Sequence, residues 1–493
     1  MKGLVLGLDV GSSVAKAGLF DADANEVAIA ALPVSLDRSR QGRVEFDPLA
    51  VQATVARLIG QVSRSAGIAP GEIRAVGIAA AMVGGVLIDA ANRPLRPGIN
   101  WEDSRAQPLI AAMQAREPRV LSRIFRSSGC VLQQGCTLPV LAALAAEEPE
   151  TVARAHAFVS LKDNLRAWLT GRIGADRTEA AVAPGNASTR DRSPLMITAF
   201  GLDGLAHLLP PAEESHAVGG TVTAAAAATT GLRVGIPVAV GAGDVPCTVL
   251  GAGGARPGLA IVILGTTAMV GVTHSAPLFT PPDLGLLFTL PGTCWFRAMV
   301  NVAGTLNLDW ALKILAPELT GGNAMAAFEM LARQSPPGAN GVVYLPYLSD
   351  SGIIAPTVDP TARAGFGGLA PRHTRADMAR AVYEGVALSL TELLELTGFS
   401  GDAITLVGGG ARSGLWPKMI ADLCGKPVTL RAGHEFGARG AALLARVALG
   451  DLRDMAEAAA MVPPERLRLE PDPALADVAS LARSRYLAFR GDA

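Results

Sequence analysis

Asp9, Gly11, Ser12, Ser13 and Lys16 fall within eight residues of one another, in the segment Leu4-Val5-Leu6-Gly7-Leu8-Asp9-Val10-Gly11-Ser12-Ser13-Val14-Ala15-Lys16-Ala17-Gly18-Leu19-Phe20. A carboxylate can hold a hydrated divalent cation, two hydroxyls and a lysine can meet phosphate oxygens, and a glycine lets a bulky anion approach the backbone. These are the parts of a metal–polyphosphate site. The apolar runs on either side predict two strands joined by a glycine-permitted turn. A hairpin whose turn is merely polar accounts equally well for this segment taken alone.

A second segment repeats the design. Gly258-Leu259-Ala260-Ile261-Val262-Ile263-Leu264 runs into Gly265-Thr266-Thr267 and then into Ala268-Met269-Val270-Gly271-Val272-Thr273. Gly11 and Gly265 lie about half the chain apart, so the pair predicts a duplicated domain. The second copy has no counterpart of Asp9 or Lys16, so the halves are not equivalent.

Three further groupings could carry chemistry. Gly241-Ala242-Gly243-Asp244 ends a predicted strand near the midpoint of the chain. Asp244 there suits a general base in a cleft between halves, although a cap for the following helix is the commoner role for such a residue taken alone. Gly408-Gly409-Gly410-Ala411-Arg412-Ser413-Gly414 follows a strand and opens a helix, so its backbone can approach a flat ligand or a phosphate. It lacks the GK[ST] of a Walker A loop, and its GxGxxxG spacing departs from the dinucleotide fingerprint. An ordinary strand–helix turn also fits. Asn100-Trp101-Glu102-Asp103-Ser104-Arg105 gathers the donors and acceptors that orient a polyol, although a solvated helix start would look the same.

The elements that must position these groups alternate between strand and helix, which predicts an α/β protein. Strands are expected over Gly3–Leu8, Ala15–Phe20, Glu26–Leu32, Ile73–Ile78, Gly84–Ile88, Pro237–Val240 and Ala403–Val407. Helices are expected from Asp47-Pro48 to about Ser65, over Ala376–Leu396, and from about Leu415. Leu49, Val51, Val55, Leu58, Ile59 and Val62 form the apolar stripe of the first helix. The expected division is residues 1–249, 250–450 and a charged, helical tail over 451–493.

Composition excludes several classes. The 493 residues are 50% hydrophobic and 18% charged, with 55 glycines, which suits a large, closely packed core. A net charge of −1 and 4% aromatic residues argue against a nucleic-acid-binding surface. Cys130, Cys136, Cys247, Cys294 and Cys424 are scattered, with no CxxC pair, which points to reduced thiols in a cytoplasmic protein rather than a zinc site. Met1 is followed almost at once by the first strand, leaving no room for a leader. The uncharged stretch from Pro257 to Pro282 is broken by Gly265, Gly271, His274 and Pro277, so it is not read as a membrane span.

Taken in order, Asp9–Lys16, Trp101–Arg105, Lys162-Asp163-Asn164-Leu165-Arg166 with Leu169-Thr170-Gly171, Gly241–Asp244, Leu264–Thr267 and Gly408–Ser413 resemble the FGGY carbohydrate kinases over about the first 450 residues. The branch holding xylulokinases, L-xylulose kinases and erythritol kinases is the most similar. Gln133-Gln134-Gly135, Asn301–Trp310 and Ala362–Phe366 lean toward the erythritol kinases. The resemblance implies two actin-like, ribonuclease-H-like ATPase domains around a central cleft, with ATP and Mg²⁺ as cofactors. It also implies that Asp244 is the catalytic base and that Asp9, with Asp244, holds the metal. Gly11, Ser12, Ser13, Lys16, Gly265, Thr266 and Thr267 would face the phosphates, while Gly409, Gly410 and Ser413 would border the adenosine. Met82, Asp103, Arg105 and Asp244 would meet the sugar or polyol. A cytoplasmic enzyme is expected, without nucleic-acid or membrane partners, and a homodimer is compatible with it. Val83 stands where xylulokinases commonly have histidine, which puts D-xylulose itself in question. The rival expectation is a nucleotide-driven chaperone or sugar sensor of the same superfamily, which would share the phosphate turns without needing a polyol pocket.

Overall fold

The computed structural model describes residues 3–349 and 352–491. Its first sheet starts from three antiparallel strands, Val5–Val10, Val14–Phe20 and Glu26–Pro33. Val76–Ala80 then joins Val5–Val10 in parallel, followed by Pro237–Ala239, with Ala242–Gly243 continuing beside Val76–Ala80. The second sheet repeats this plan. Ala260–Leu264, Ala268–His274 and Trp295–Asn301 are antiparallel, and Ile404–Val407 and Val428–Arg431 add in parallel. The uncharged stretch weighed as a membrane span therefore forms two of these strands.

The helix Pro48–Ser65 starts where Asp47 accepts a hydrogen bond from the Leu49 amide, and it carries a proline in its first turn. Val55, Leu58, Ile59 and Val62 from this helix are fully buried against Leu6, Leu8 and Val10. Each such side chain contributes about 1.5–3 kcal/mol of burial. In the second lobe Arg375–Leu396 plays the same part, packing Val382, Val386 and Leu393 against Val262 and Val270.

Two helices join the lobes. Asp244–Gly251 leaves the first sheet and leads into the second. Phe436–Leu449 follows the second sheet's strand Val428–Arg431 in sequence but lies on the first sheet. Its backbone sits so close that a Cβ at Gly7 would come within 1.9 Å of the Ala438 carbonyl oxygen, and one at Gly77 within 1.8 Å of that of Ala441. The two helices are equally close, since a Cβ at Gly440 would meet the Cys247 carbonyl oxygen at 1.9 Å. The tail read as helical contains the strand Glu465–Leu469, which pairs with Val428–Arg431, before the helix Ala476–Arg490. Alternating Glu465, Arg466 and Arg468 are mostly exposed at this sheet edge, so charge had concealed a strand.

Candidate active site

Asp9 is the penultimate residue of its strand and pairs in register with Lys16 across the hairpin. The turn closes through the Gly11 amide, which donates to the Val14 carbonyl at 3.1 Å. Ser12 Oγ accepts from Asn100 Nδ2 at 3.1 Å and Trp101 Nε1 at 3.0 Å, whereas Ser13 is exposed. Lys16 Nζ reaches across to the other lobe and stands 2.6 Å from the Glu435 carboxylate. A Cβ on Gly437 would fall 2.3 Å from Asp9 Oδ2, so the first turn of Phe436–Leu449 directly faces this carboxylate. Burial pushes the Asp9 carboxyl up to about 6, with Lys16 opposing the shift and Glu435 adding to it.

Asp244 is the first residue of its helix, with Gly243 in the cap position, so its side chain is not spent on capping. Its Oδ1 accepts from the Val245 amide at 2.8 Å. Burial, then the charge of Asp9, pushes Asp244 up to about 7. The loop is held from below. Thr178 Oγ1 accepts from the Gly243 amide at 3.0 Å and donates to Asp176 Oδ2 at 2.5 Å. Lys162 Nζ donates to the Val240 carbonyl at 3.2 Å and lies 3.3 Å from Asp176 Oδ1. Lys162 and Asp176 have no exposed side-chain surface. A rigid floor of this kind fixes where Asp244 points.

Asp9 and Asp244 thus offer two hard oxygen donors, and the charge of Asp9 reaches Asp244 and raises its proton affinity. The nearby cation, Lys16, is already paired with Glu435. Mutually repelling carboxylates with oxygen donors suit Mg²⁺.

The second turn is built from backbone. Gly265 donates to the Thr267 carbonyl at 2.9 Å, Thr305 N–H to Gly265 at 2.8 Å, and Gly304 N–H to Thr266 at 2.6 Å. Thr266 is exposed and Thr267 half-buried. The Ile263–Val407 register brings the glycine-rich turn alongside. Gly408 has φ +93°, and a Cβ there would meet the Leu264 carbonyl oxygen at 2.6 Å, so only glycine lets these two turns touch. Gly410 packs on the Leu264 side chain, while Gly409 faces open space. Beside them is a pocket lined by Leu406, Gly408, Ala411, Arg412, Gly433 and Phe436. The Ser413 hydroxyl is already engaged: it donates to Glu329 at 2.6 Å and accepts from the Trp416 amide at 2.9 Å, at the start of Trp416–Cys424.

On the other side of Asp244, Met82 packs against Gly243, where a Cβ would meet its sulfur at 2.3 Å. Val83 follows with φ +59°, a strained value for a β-branched residue. Gly84 donates to the Gly135 carbonyl at 2.8 Å, and Gly135 is wedged against the Trp101 backbone. Residues 82–85, Asn100–Trp101 and Gln133–Gly135 therefore converge beside the first turn.

Asp103 and Arg105 do not join them as expected. Asp103 is 0% exposed, and its two oxygens accept from the Val44 and Arg105 amides and from the Arg105 guanidinium. Arg105 also binds Glu45. This buried ion pair braces the loop that carries Asn100 and Trp101.

The sequence reading missed Glu435, Asp176, Thr178 and Glu179. The pattern Asp176-Arg177-Thr178-Glu179 carries a capping signal for the helix Arg177–Val182, which alone could have drawn attention to it. Nothing local reveals that Glu435 faces Lys16, more than four hundred positions away.

Two lobes of one sheet plan, each with a hydroxyl-bearing turn, and a carboxylate at the first turn whose charge reaches Asp244, fit an actin-like phosphotransferase. The family model described as the N-terminal domain of the FGGY family of carbohydrate kinases matches residues 4–251. The model of the C-terminal domain matches residues 260–449. The chain belongs to the FGGY family of carbohydrate kinases. It is 30% identical to a xylulose kinase of Escherichia coli over 94% of each chain. It is also 30% identical to an erythritol kinase of Brucella abortus, covering 91% of this chain and 88% of that protein. A crystal structure of xylulose kinase from Rhodospirillum rubrum superposes with a TM-score of 0.87 at 28% identity, covering 99% of this chain and 98% of that one. The chain is a sugar kinase that uses ATP, as the family does. None of the described helices is long and apolar enough to cross a membrane.

Proposed function

We propose that this kinase phosphorylates a primary hydroxyl of a small ketose or polyol, of the size handled by its xylulose and erythritol kinase relatives, with Asp244 as the base. The observation that carries this reading is the pairing of Asp244 with Asp9: a carboxyl held at about 7 can accept a proton at neutral pH. Asp244 takes or orients the hydroxyl proton as the acceptor oxygen bonds to the γ-phosphorus and the bond to the ADP oxygen breaks in line. Lys16, the Ser13, Thr266 and Thr267 hydroxyls and the backbone amides of both turns stabilise the charge that develops on the phosphoryl oxygens. Asp9 and Asp244 would hold Mg²⁺, which supplies Lewis-acid neutralisation of the phosphates when bound. Gly409 and Gly410 leave room for the adenosine beside the pocket at Arg412. Closure of the lobes excludes water and suppresses ATP hydrolysis. The five cysteines, all unpaired, support a reducing, cytoplasmic setting.

The test is ADP release from MgATP with D- and L-xylulose, D- and L-ribulose, erythritol and glycerol. One acceptor is expected to raise the rate well above the acceptor-free rate. A rate that no acceptor raises would favour the non-transferring sensor instead.

A further inference from the structure

Glu179 is only 6% exposed, in the helix that begins under the Asp244 loop. Its Oε2 accepts from the Val83 amide at 3.0 Å. Its Oε1 has no hydrogen-bond partner. Asp176 Oδ1 also lacks a hydrogen bond among the described residues, but it faces Lys162 at 3.3 Å. Glu179 has no ion pair among the described residues. A buried acceptor or donor left unmet costs about 1–3 kcal/mol, so such an atom calls for a partner that arrives later.

The surroundings say where that partner would stand. Glu179 holds Val83 on one side, and its neighbour Thr178 holds Gly243, the residue before Asp244. Met82 fills the space between these loops against Gly243. Val83 and Val245 pack on the same apolar cluster as Met82, Val182 and Cys247. In this apolar wall, the free oxygen of Glu179 is a polar atom with nothing to bind. Burial, followed by the charge of Asp176, pushes its carboxyl well above the ordinary range.

We propose that Glu179 is a specificity-determining residue of the acceptor pocket, its free Oε1 hydrogen-bonding an acceptor oxygen other than the one phosphorylated. This rests on the kinase reading above. Met82, Val83 and Val245 share one apolar cluster, so an acceptor bound beside them would be selected by the single oxygen that meets this carboxyl, with carbon and hydrogen tolerated elsewhere.

The experiment measures kcat and KM for D-xylulose, L-xylulose and erythritol, then for the monodeoxy forms of whichever is used best. In the unaltered enzyme, removal of one particular oxygen is expected to raise KM by ~10-fold or more, the scale of a hydrogen bond to a buried acid. In Glu179→Ala and the volume-filling Glu179→Met, KM for the parent acceptor rises by a similar factor. The penalty for that deoxy form then vanishes, and KM for MgATP stays within about twofold. Glu179→Gln, which keeps the Val83 contact and a polar atom at Oε1, restores the penalty. A residue that merely shaped the loop would weaken all acceptors alike, and that outcome overturns the proposal. So does the absence of any single-oxygen penalty in the unaltered enzyme, a reading that does not depend on how well the variants fold. If no acceptor is phosphorylated at all, the kinase reading fails first and takes this proposal with it.

Discussion

The two hydroxyl-bearing turns share a scaffold and divide the labour. Each links antiparallel strands by three residues, 11–13 and 265–267, next to a parallel neighbour. In the first, side chains do the work: Asp9 and Lys16 flank the turn, Ser12 is bound by Asn100 and Trp101, and Glu435 reaches in from the other lobe. In the second, the backbone does it, anchored by Gly304, Thr305 and Gly408, and no charged residue lies within the turn. Duplication therefore supplies the frame twice, whereas charge is set once, on the lobe that also holds Asp244. A phosphate chain between them would meet a charged wall on one side and a neutral, hydrogen-bonding wall on the other.

The strongest way to break this asymmetry is to remove the proposed base. Asp244→Asn is expected to lower kcat by at least ~10²-fold while ATP affinity, read by calorimetry, changes little. Near-normal turnover would take Asp244 out of the mechanism. The next contrast sets the walls against each other. Lys16→Met should cost ~10–100-fold in kcat/KM for MgATP, as a charge-assisted contact does, and Thr267→Val only ~3–10-fold. Equal effects would mean that the two turns act alike.

Two smaller effects sharpen the picture of the carboxylate pair. Gly437→Ala would put a methyl 2.3 Å from Asp9 Oδ2, forcing that carboxylate to swing away. A Mg²⁺ titration of kcat is expected to shift about tenfold to higher metal, with ~1–3 kcal/mol lost in urea unfolding. An unchanged titration would release Asp9 from the metal. The last concerns pH. Native Asp244 holds its proton up to about 7, against 3.8 for an ordinary aspartate. Between those values the unfolded chain has lost a proton that the native protein keeps, so this group lowers stability as pH rises toward 7. Without ligands, Asp244→Asn should therefore melt higher than the parent at pH 8, by the equivalent of at least ~1 kcal/mol. The gap should narrow as pH falls through 7 toward 4. A gap that widens on acidification would mean that Asp244 is stabilised as an anion.

Much of this was legible in the chain because it is local. The strand at 5–10, the helix at 48–65 and the turns at Gly11, Gly265 and Gly408 follow from apolar period, capping and glycine placement, which neighbours in sequence decide. The long helix was expected from 376 and begins at Arg375. The failures are contacts between distant segments. Asp103 and Arg105 carry the right groups for a sugar, but Glu45 and the Val44 amide, on a segment some sixty residues earlier, occupy them first. The Ser413 hydroxyl meets Glu329, more than eighty positions earlier, besides the Leu415 and Trp416 amides, a contact its neighbours in sequence do not announce. Glu179 gave no signal beyond a cap pattern, because its importance lies in Val83, nearly a hundred positions upstream. Charge patterning misled at 465–469, where an edge strand facing solvent resembles a polar helix.

The helix at 436–449 has a wider consequence. By sequence it belongs to the second half, yet Ala438, Ala442 and Ala445 complete a small apolar patch with Val5, Phe20 and Ala75 of the first. Cutting the chain at the midpoint would strip the opening sheet of a layer that its own half never encodes. The halves descend from a repeated plan, but they are no longer interchangeable cassettes, and neither can be transplanted without carrying part of the other.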